Sequence, residues 1–363
     1  MVNVMAYFDK ISINDTSYDV HDSEAHLLID NIKTLNAIFD VTKFGADNTG
    51  VSYCDTVVSS IMANNTGGII YFPPGRYRFA SPVILSKPFS MYGAFCFGNF
   101  EKEDAAGSVL QFDQDGIYIR YGGIELRGLS IVWGGAESGS SNSTIGVDIQ
   151  STTSAENVPT FLKLENLFLQ DFRFGINLET AGTTYMSSFK NIWVNGGDTA
   201  YRIRPATGNT TSMVFINCWG TWQSNVTFNL INAYYTSLIS CGSDNSNFGY
   251  AMEGCISMKM VSCGVEATTG TSVPAARFTN CMASSIQLFG HNIKGTSFVS
   301  LIGCGGVALN LYNNDQATTS VTDDSGGGSR NSFIGYCRGS VTVSGETFTP
   351  DGFIRYLTTK QGV

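Results

Sequence analysis

The sequence predicts an all-β fold, a parallel β-helix, and three observations carry the prediction. First, one short phrase recurs about one solenoid coil apart: Phe215-Ile216-Asn217-Cys218, Leu238-Ile239-Ser240-Cys241 and Met260-Val261-Ser262-Cys263. It extends upstream to Leu164-Glu165-Asn166-Leu167 and Phe189-Lys190-Asn191-Ile192, and downstream to Ile286-Gln287-Leu288-Phe289. Second, an inward column with the same period runs Ile149, Leu178, Ile203, Leu230, Met252, Phe278 and Leu301. Its outward neighbours Gln150, Glu179, Arg204, Ile231, Glu253 and Thr279 vary, which is the alternation of a half-buried strand. Third, the length per coil is nearly constant, so stacked coils with two or more short strands each follow.

Within the phrase, Asn166, Asn191, Asn217, Ser240 and Ser262 fall at one bend. Stacked there, each Asn amide can bond to the next rung while the side chain satisfies a turn. Beyond the second apolar column comes a polar one, Gln170, Asn195, Thr221, Asp244, Glu266 and Asn292, expected to face solvent.

Composition narrows the classes. The 363 residues would make two domains by size, but a solenoid core grows by repetition. Only 14% of residues are charged, with Gly at 40 and Pro at 8, which suits tight turns and Ser/Thr/Asn surfaces. No run approaches the ~18 apolar residues of a membrane span, so no membrane insertion is expected. A net charge of -9 argues against nucleic acid, and against a strongly anionic polymer unless arginines cluster locally.

The cysteine count of 9 is odd, and most fall in two columns: Cys218, Cys241 and Cys263, and Cys255, Cys281, Cys304 and Cys337. Inward stacked thiols behave as small hydrophobes, so they are expected to be free and buried rather than bridged. With neither paired C-x-x-C spacing nor a Cys/His cluster, no metal is expected, and no cofactor. Residues 1 to 10 lack the basic and apolar regions of a secretory signal, so none is expected.

Taken in order, residues 1 to 19 read as a short polar strand or turn around Ile11-Ser12-Ile13. From Asp22, the residues Ala25, Leu28, Ile32, Leu35 and Phe39 are spaced as a coiled-coil seam, with Asp22 or Ser23 as cap. Three heptads are marginal alone, so an amphipathic helix packed on its own domain is an equal reading. A helix follows near residues 54 to 63, and coils continue through Ile124-Glu125-Leu126-Arg127-Gly128-Leu129. Gly- and Ser-rich residues 134 to 144 read as an inserted flank loop, and residues 313 to 330 as a flexible one. Three segments result: a leader with a short helix over 1–39, the β-helix over 40–340, and a strand or cap segment over 341–363.

The stretch Val41-Thr42-Lys43-Phe44-Gly45-Ala46-Asp47-Asn48-Thr49-Gly50, a helix, and then Gly67-Gly68-Ile69-Ile70-Tyr71-Phe72-Pro73-Pro74-Gly75-Arg76-Tyr77 resembles the opening of pectate lyase-like right-handed β-helix proteins. The resemblance implies a right-handed solenoid whose N-terminal capping helix covers the open apolar end of the first coil. The family includes polygalacturonases, glucanases, epimerases and bacteriophage tailspikes and depolymerases, so the motif speaks for fold more than for function. Residues 11 to 22 followed by a heptad are similar to leader segments of tail proteins in phages of Gram-positive hosts. That likeness implies a homotrimer in a virion tail or baseplate, extracellular after host lysis, acting on a polysaccharide of a bacterial cell surface.

The polar column supplies the chemistry. Asp244 and Glu266 occupy it on consecutive coils, one strand spacing of ~4.8 Å apart. Paired carboxylates at such spacing are the machinery of glycoside hydrolysis, one as acid and one as nucleophile or base. Two like charges that close resist double ionisation, the property a general acid draws on. His291 beside Asn292 is a conceivable base. Trp219 and Trp222 flank Thr221, and Tyr234, Tyr235 and Tyr250 fall on adjacent turns; flat apolar faces with polar edges match sugar rings. Of the two tryptophans, Trp222 is expected to be the more exposed.

Arg202 and Arg204, with Glu179 and Glu253, form either a surface ion-pair ladder of little worth or a clamp for an acidic sugar. Asp113, Asp115, Asp148, Asp171 and Asp198 read as solvated turn residues. The leading expectation is therefore a tailspike-like protein that binds and hydrolyses a host surface polysaccharide. A polysaccharide lyase acting on a uronate-containing glycan, and a non-catalytic receptor-binding protein, are the alternatives.

Overall fold

The computed structural model describes residues 10–13, 16–19, 37–94, 107–135, 143–150, 159–179, 184–313, 319–325, 330–337, 341–343, 346–348 and 352–357. The heptad positions Ala25, Leu28, Ile32 and Leu35, Cys96, and residues 136–142, 314–318 and 326–329 of the two expected loops lie outside the described residues; within the second loop Thr319–Asp323 is a strand paired with Ser297–Ile302 rather than a flexible loop. The chain is a parallel β-helix. Each coil contributes a strand to a 12-stranded sheet that begins at Val83–Leu85 and ends at Glu346–Phe348. It also contributes a longer strand, such as Lys163–Gln170, Ser188–Asn195 or Val214–Thr221, that folds over two further walls. Short pieces, Thr184–Tyr185, Thr210–Thr211 and Ala233–Tyr234, close a fourth side.

The columns seen in the sequence are the rungs of the core. Leu164, Phe189, Phe215, Leu238, Met260 and Ile286 are successive backbone partners. So are Ile149, Leu178, Ile203, Leu230, Met252, Phe278 and Leu301 on the other sheet. All are buried, and each such side chain contributes about 1.5–3 kcal/mol on burial. Aromatic rungs stack directly, Phe189 on Phe215 and Tyr201 on Phe228 with ring centroids 4.5 Å apart in both.

The long strands bend because one residue in each is left-handed. Gly128, Asn166, Asn191, Asn217, Ser240 and Ser262 have φ of 70, 55, 52, 52, 53 and 53°. Asn tolerates that region better than most residues. The ladder expected there is present: Asn191 Nδ2 donates to Asn166 Oδ1 at 2.9 Å, and Asn217 Nδ2 donates to Asn191 Oδ1 at 3.1 Å. A second left-handed corner, through Asp171, Trp222, Asn245, Ala267 and Asn292, follows the polar column.

The downstream unit departs from the expected register. Its strand, Ser285–His291, has no left-handed residue, so it runs straight where the preceding strands bend. Met260 pairs with Ile286, but Cys263 then pairs with Leu288. Leu288 is therefore the buried residue, and Phe289, placed inward by equal spacing, is 43% exposed.

Two further expectations are corrected. Phe39, the last seam position, lies in the strand Ile38–Asp40, parallel to Gly68–Phe72, with its ring 6.0 Å from Phe44 and 6.3 Å from Phe89. Cys337 pairs with Asn313 rather than continuing the Cys255, Cys281, Cys304 column. The other column cysteines and Cys54 are free and buried.

An α-helix, Asp55–Asn64, buries Val58 and Ile61 in the same core. Lys10–Ile13 pairs antiparallel with Thr16–Asp19. Near the other end the parallel order gives way: Ser332–Cys337 pairs antiparallel with Gly352–Leu357, and Val341–Val343 with Glu346–Phe348. Among the described residues no helix is long and apolar enough to cross a membrane.

Candidate active site

Asp244 and Glu266 are direct backbone partners on adjacent parallel strands. Thr221 pairs with Asp244 on one side, and His291 pairs with Glu266 on the other. The straight strand thus puts His291, not Asn292, in the acid column. Exposure varies along it: Gln170 and Thr221 are buried at 7% and 6%, Asn195 and Asp244 are half-buried, and Glu266 and His291 are exposed. The expectation of a uniformly solvated column therefore holds only for its later rungs.

Asp244 lies on a cleft of about 390 Å³ lined by Ile192, Trp193, Asn217, Trp219, Thr221 and Asp244. A hydrogen-bonded relay crosses its wall: Trp193 Nε1 donates to Thr221 Oγ1 at 2.9 Å, which donates to Asn195 Oδ1 at 2.8 Å. Asn245 Nδ2 donates to Asp244 Oδ1 at 2.9 Å, which fixes the carboxylate at the corner. Among the described residues the Glu266 side chain has no hydrogen bond or ion pair, so it is free to swing.

The aromatic residues divide. Trp219 lines the cleft, and Trp222 occupies the left-handed corner at 63% exposed. Tyr234 and Tyr235 sit on the short fourth side, separated from Asp244 by the strand Ser237–Ile239 and the Ser240 bend. Tyr250 is a core residue rather than part of a binding surface. It is fully buried, stacks on Phe228 at 5.1 Å, and donates its phenol to the Cys241 and Gly264 carbonyls.

Arg202, Arg204 and Glu253 are not beside the acid pair either; they belong to the 12-stranded sheet or its edge. Arg202 pairs with Glu179 at 3.0 Å and stacks 4.5 Å over Phe174, so its guanidinium is already engaged. On the same sheet Asp148 is buried rather than solvated, accepting from Asn177 Nδ2 at 2.7 Å and Gln150 Nε2 at 2.5 Å. Burial pushes its carboxyl above the usual range against those two donors. Among the described residues no three His, Cys, Asp or Glu side chains are grouped to hold a metal ion.

The family model for rhamnogalacturonase A/epimerase, pectate lyase-like proteins matches residues 38–250. The chain belongs to this pectate lyase-like family. Among solved structures, this pectate lyase-like chain is similar to the gp42 tailspike of Acinetobacter phage vb_AbaP_AS12, with a TM-score of 0.57 and 11% identity over 90% of this chain and 65% of that one. It therefore spans less than two thirds of the tailspike's length. A second is the catalytic unit of the GH87 alpha-1,3-glucanase from Streptomyces thermodiastaticus strain HF3-3, with a TM-score of 0.51 and 14% identity over 85% of this chain and 68% of that one. A third is the A-module of the Azotobacter vinelandii mannuronan C-5 epimerase AlgE4, with a TM-score of 0.50 and 12% identity over 86% and 98%. At these identities the likeness is one of fold. No curated protein matches the chain.

One column of the pectate lyase-like solenoid was missed by sequence reasoning: the outward residues two positions before the acids. Trp219, Gly242, Gly264, Phe289 and Tyr312 are successive partners there. The signal was present, because the residue after each column cysteine is Trp219, Gly242 and Gly264 in turn.

Proposed function

We propose that the chain is a polysaccharide depolymerase that hydrolyses glycosidic bonds with Asp244 and Glu266. The observation that carries this reading is their direct pairing beside an aromatic-lined cleft. At one strand spacing, ~4.8 Å between backbones, one carboxyl group can protonate the leaving oxygen while the other attacks the anomeric carbon or activates water. Asp244, fixed by Asn245, is assigned as nucleophile or base. Glu266, a methylene longer and exposed, is assigned as the acid. Side-chain splay leaves both retaining and inverting geometry open to the pair.

Support for a carbohydrate substrate comes from the family and from neighbours named as a tailspike, a glucanase and an epimerase. The tailspike likeness and the leader segment favour a homotrimer in a virion tail that engages a bacterial surface glycan. The test is reducing-end release from purified bacterial polysaccharides. Asp244→Asn and Glu266→Gln should each lower the rate about 10²–10⁴-fold with unchanged melting temperature. Full activity in both variants would refute the assignment, and product bearing a new unsaturated uronate would mark a lyase.

A further inference from the structure

We infer that the groove beside the acid pair takes an uncharged glycan chain, laid along the solenoid axis with one sugar ring seated over Gly264; this rests on Asp244 and Glu266 being the reacting pair. The column that includes Trp219, Phe289 and Tyr312 is outward and aromatic except where two glycines interrupt it. Those glycines are not equivalent. At Gly242 a Cβ would stand 2.6–2.7 Å from three carbons of the six-membered ring of Trp219, so the indole lies flat against that rung. At Gly264 the nearest heavy atom to such a Cβ is the Phe289 carbonyl oxygen at 4.0 Å, so that rung is open.

The result is a floor of bare backbone with the Trp219 ring covering the rung on one side. On the other side Phe289 forms a wall, and its ring continues to Tyr312 at 6.2 Å, with Tyr312 45% exposed. A pyranose offers apolar C–H faces and a hydroxyl rim, which fit an open backbone floor between two aromatic side chains with polar groups alongside. Those polar groups are in register. Glu266 lies two residues along the strand from Gly264 and so on the same face, and Asp244 and His291 hold that relation to Gly242 and Phe289. A ring over Gly264 therefore sits beside Glu266, with Asp244 and His291 on the flanking rungs.

Charge selects the substrate class. From Trp219 to Tyr312, and from Thr221 to His291 in the adjacent column, there is no Lys or Arg. A uronate here would face the Asp244 carboxylate and the acid Glu266 with no Lys or Arg in either column to offset its charge. The guanidinium of Arg202 is on another sheet, held by Glu179.

The test uses oligosaccharides released by mild acid hydrolysis from capsular and cell-wall polysaccharides of a panel of bacteria, split by anion exchange into uncharged and anionic pools. Passed over the immobilised full-length chain, the uncharged pool should be retained and the anionic pool should flow through. Gly264→Leu fills the open rung without a left-handed φ to strain it, and should weaken retention at least about tenfold. Phe289→Ala, which only removes a wall, should weaken it less; both variants are checked for unchanged melting temperature. Preferred retention of the anionic pool, retention of neither pool, or undiminished retention by Gly264→Leu overturns the inference. Reducing-end release on the same pools separates the two readings. Retention of the uncharged pool without cleavage sinks the hydrolase alone, whereas cleavage of the anionic pool that survives Gly264→Leu sinks this inference alone.

Discussion

Asn191 donates Nδ2 to Oδ1 of Asn166 at 2.9 Å, and both residues hold the left-handed backbone that bends their strands. Conformation and hydrogen bonding are thus satisfied by one residue type. Asn191→Ala removes the ladder bonds to both neighbours and leaves a Cβ-bearing residue in a region that costs about 1–2 kcal/mol, so a loss of about 2–4 kcal/mol is expected. Asn191→Gly removes the same bonds but relieves the backbone, and should lose less. Chemical denaturation of both variants checks this, and an Ala variant no worse than Gly would show that the bend carries no strain.

The thiol column gives a second expectation. Cys218, Cys241 and Cys263 point their sulfurs at carbonyls of the preceding coil at 3.4, 3.5 and 3.4 Å. Burial pushes the Cys241 thiol up, and the neighbouring Cys241 sulfur, with burial, pushes up Cys263. All three sulfurs are buried, and Cys241 and Cys263 are in addition held away from the reactive thiolate, so the peptides of these three residues should stay unlabelled by iodoacetamide in the native protein and label fully in denaturant. Rapid native labelling of Cys241 would mean that the column is not closed.

These two features are legible in the sequence, because a recurring phrase that keeps its internal spacing becomes a set of columns in space even where the length between phrases varies. Leu164 to Ile286 and Ile149 to Leu301 stack as counted. The columns depart from the count where the spacing inside the phrase changes. Losing the bend residue moved Phe289 outward and put His291 in the acid column, and Cys337 fell on a different wall from Cys304. Spacing also says nothing of which way an aromatic points, so the sequence does not separate Tyr250, whose phenol is spent on backbone carbonyls, from the tyrosines on the surface. The pairing of Asp244 with Glu266 was readable; the open rung beside it was not, because a glycine's emptiness depends on what leans over it.

Trp219 and Gly242 should be coupled. An added methyl at Gly242 would overlap the indole ring at 2.6 Å, so Gly242→Ala must displace Trp219 at a cost of about 1–3 kcal/mol. In a Trp219→Ala background the same substitution should be nearly neutral, since the obstructing ring is gone. Stability measured across the four proteins of the cycle tests this. Equal cost in both backgrounds would mean that the indole does not rest on Gly242.

Asp47 supplies a pH-dependent contribution whose direction is fixed by its bonds. Its Oδ1 accepts from Thr49 N at 2.9 Å and Thr49 Oγ1 at 2.6 Å, and its Oδ2 accepts from Val51 N at 3.0 Å and Ser52 N at 2.6 Å. Led by the Thr49 hydroxyl, these donors favour the charged form and lower the carboxyl to about 2. The unfolded value is about 3.9, so the folded chain binds this proton less readily than the unfolded one. The contribution is therefore complete above the unfolded value and disappears as pH falls through about 2. Asp47→Asn cannot titrate, so the melting-temperature gap between it and the parent should narrow steadily from about pH 5 downward. The Val51 and Ser52 amide resonances of the native parent should shift around the folded value of about 2. A gap that stays constant, with amide shifts that follow the ordinary carboxylate range instead, would mean that the turn does not hold the charged form.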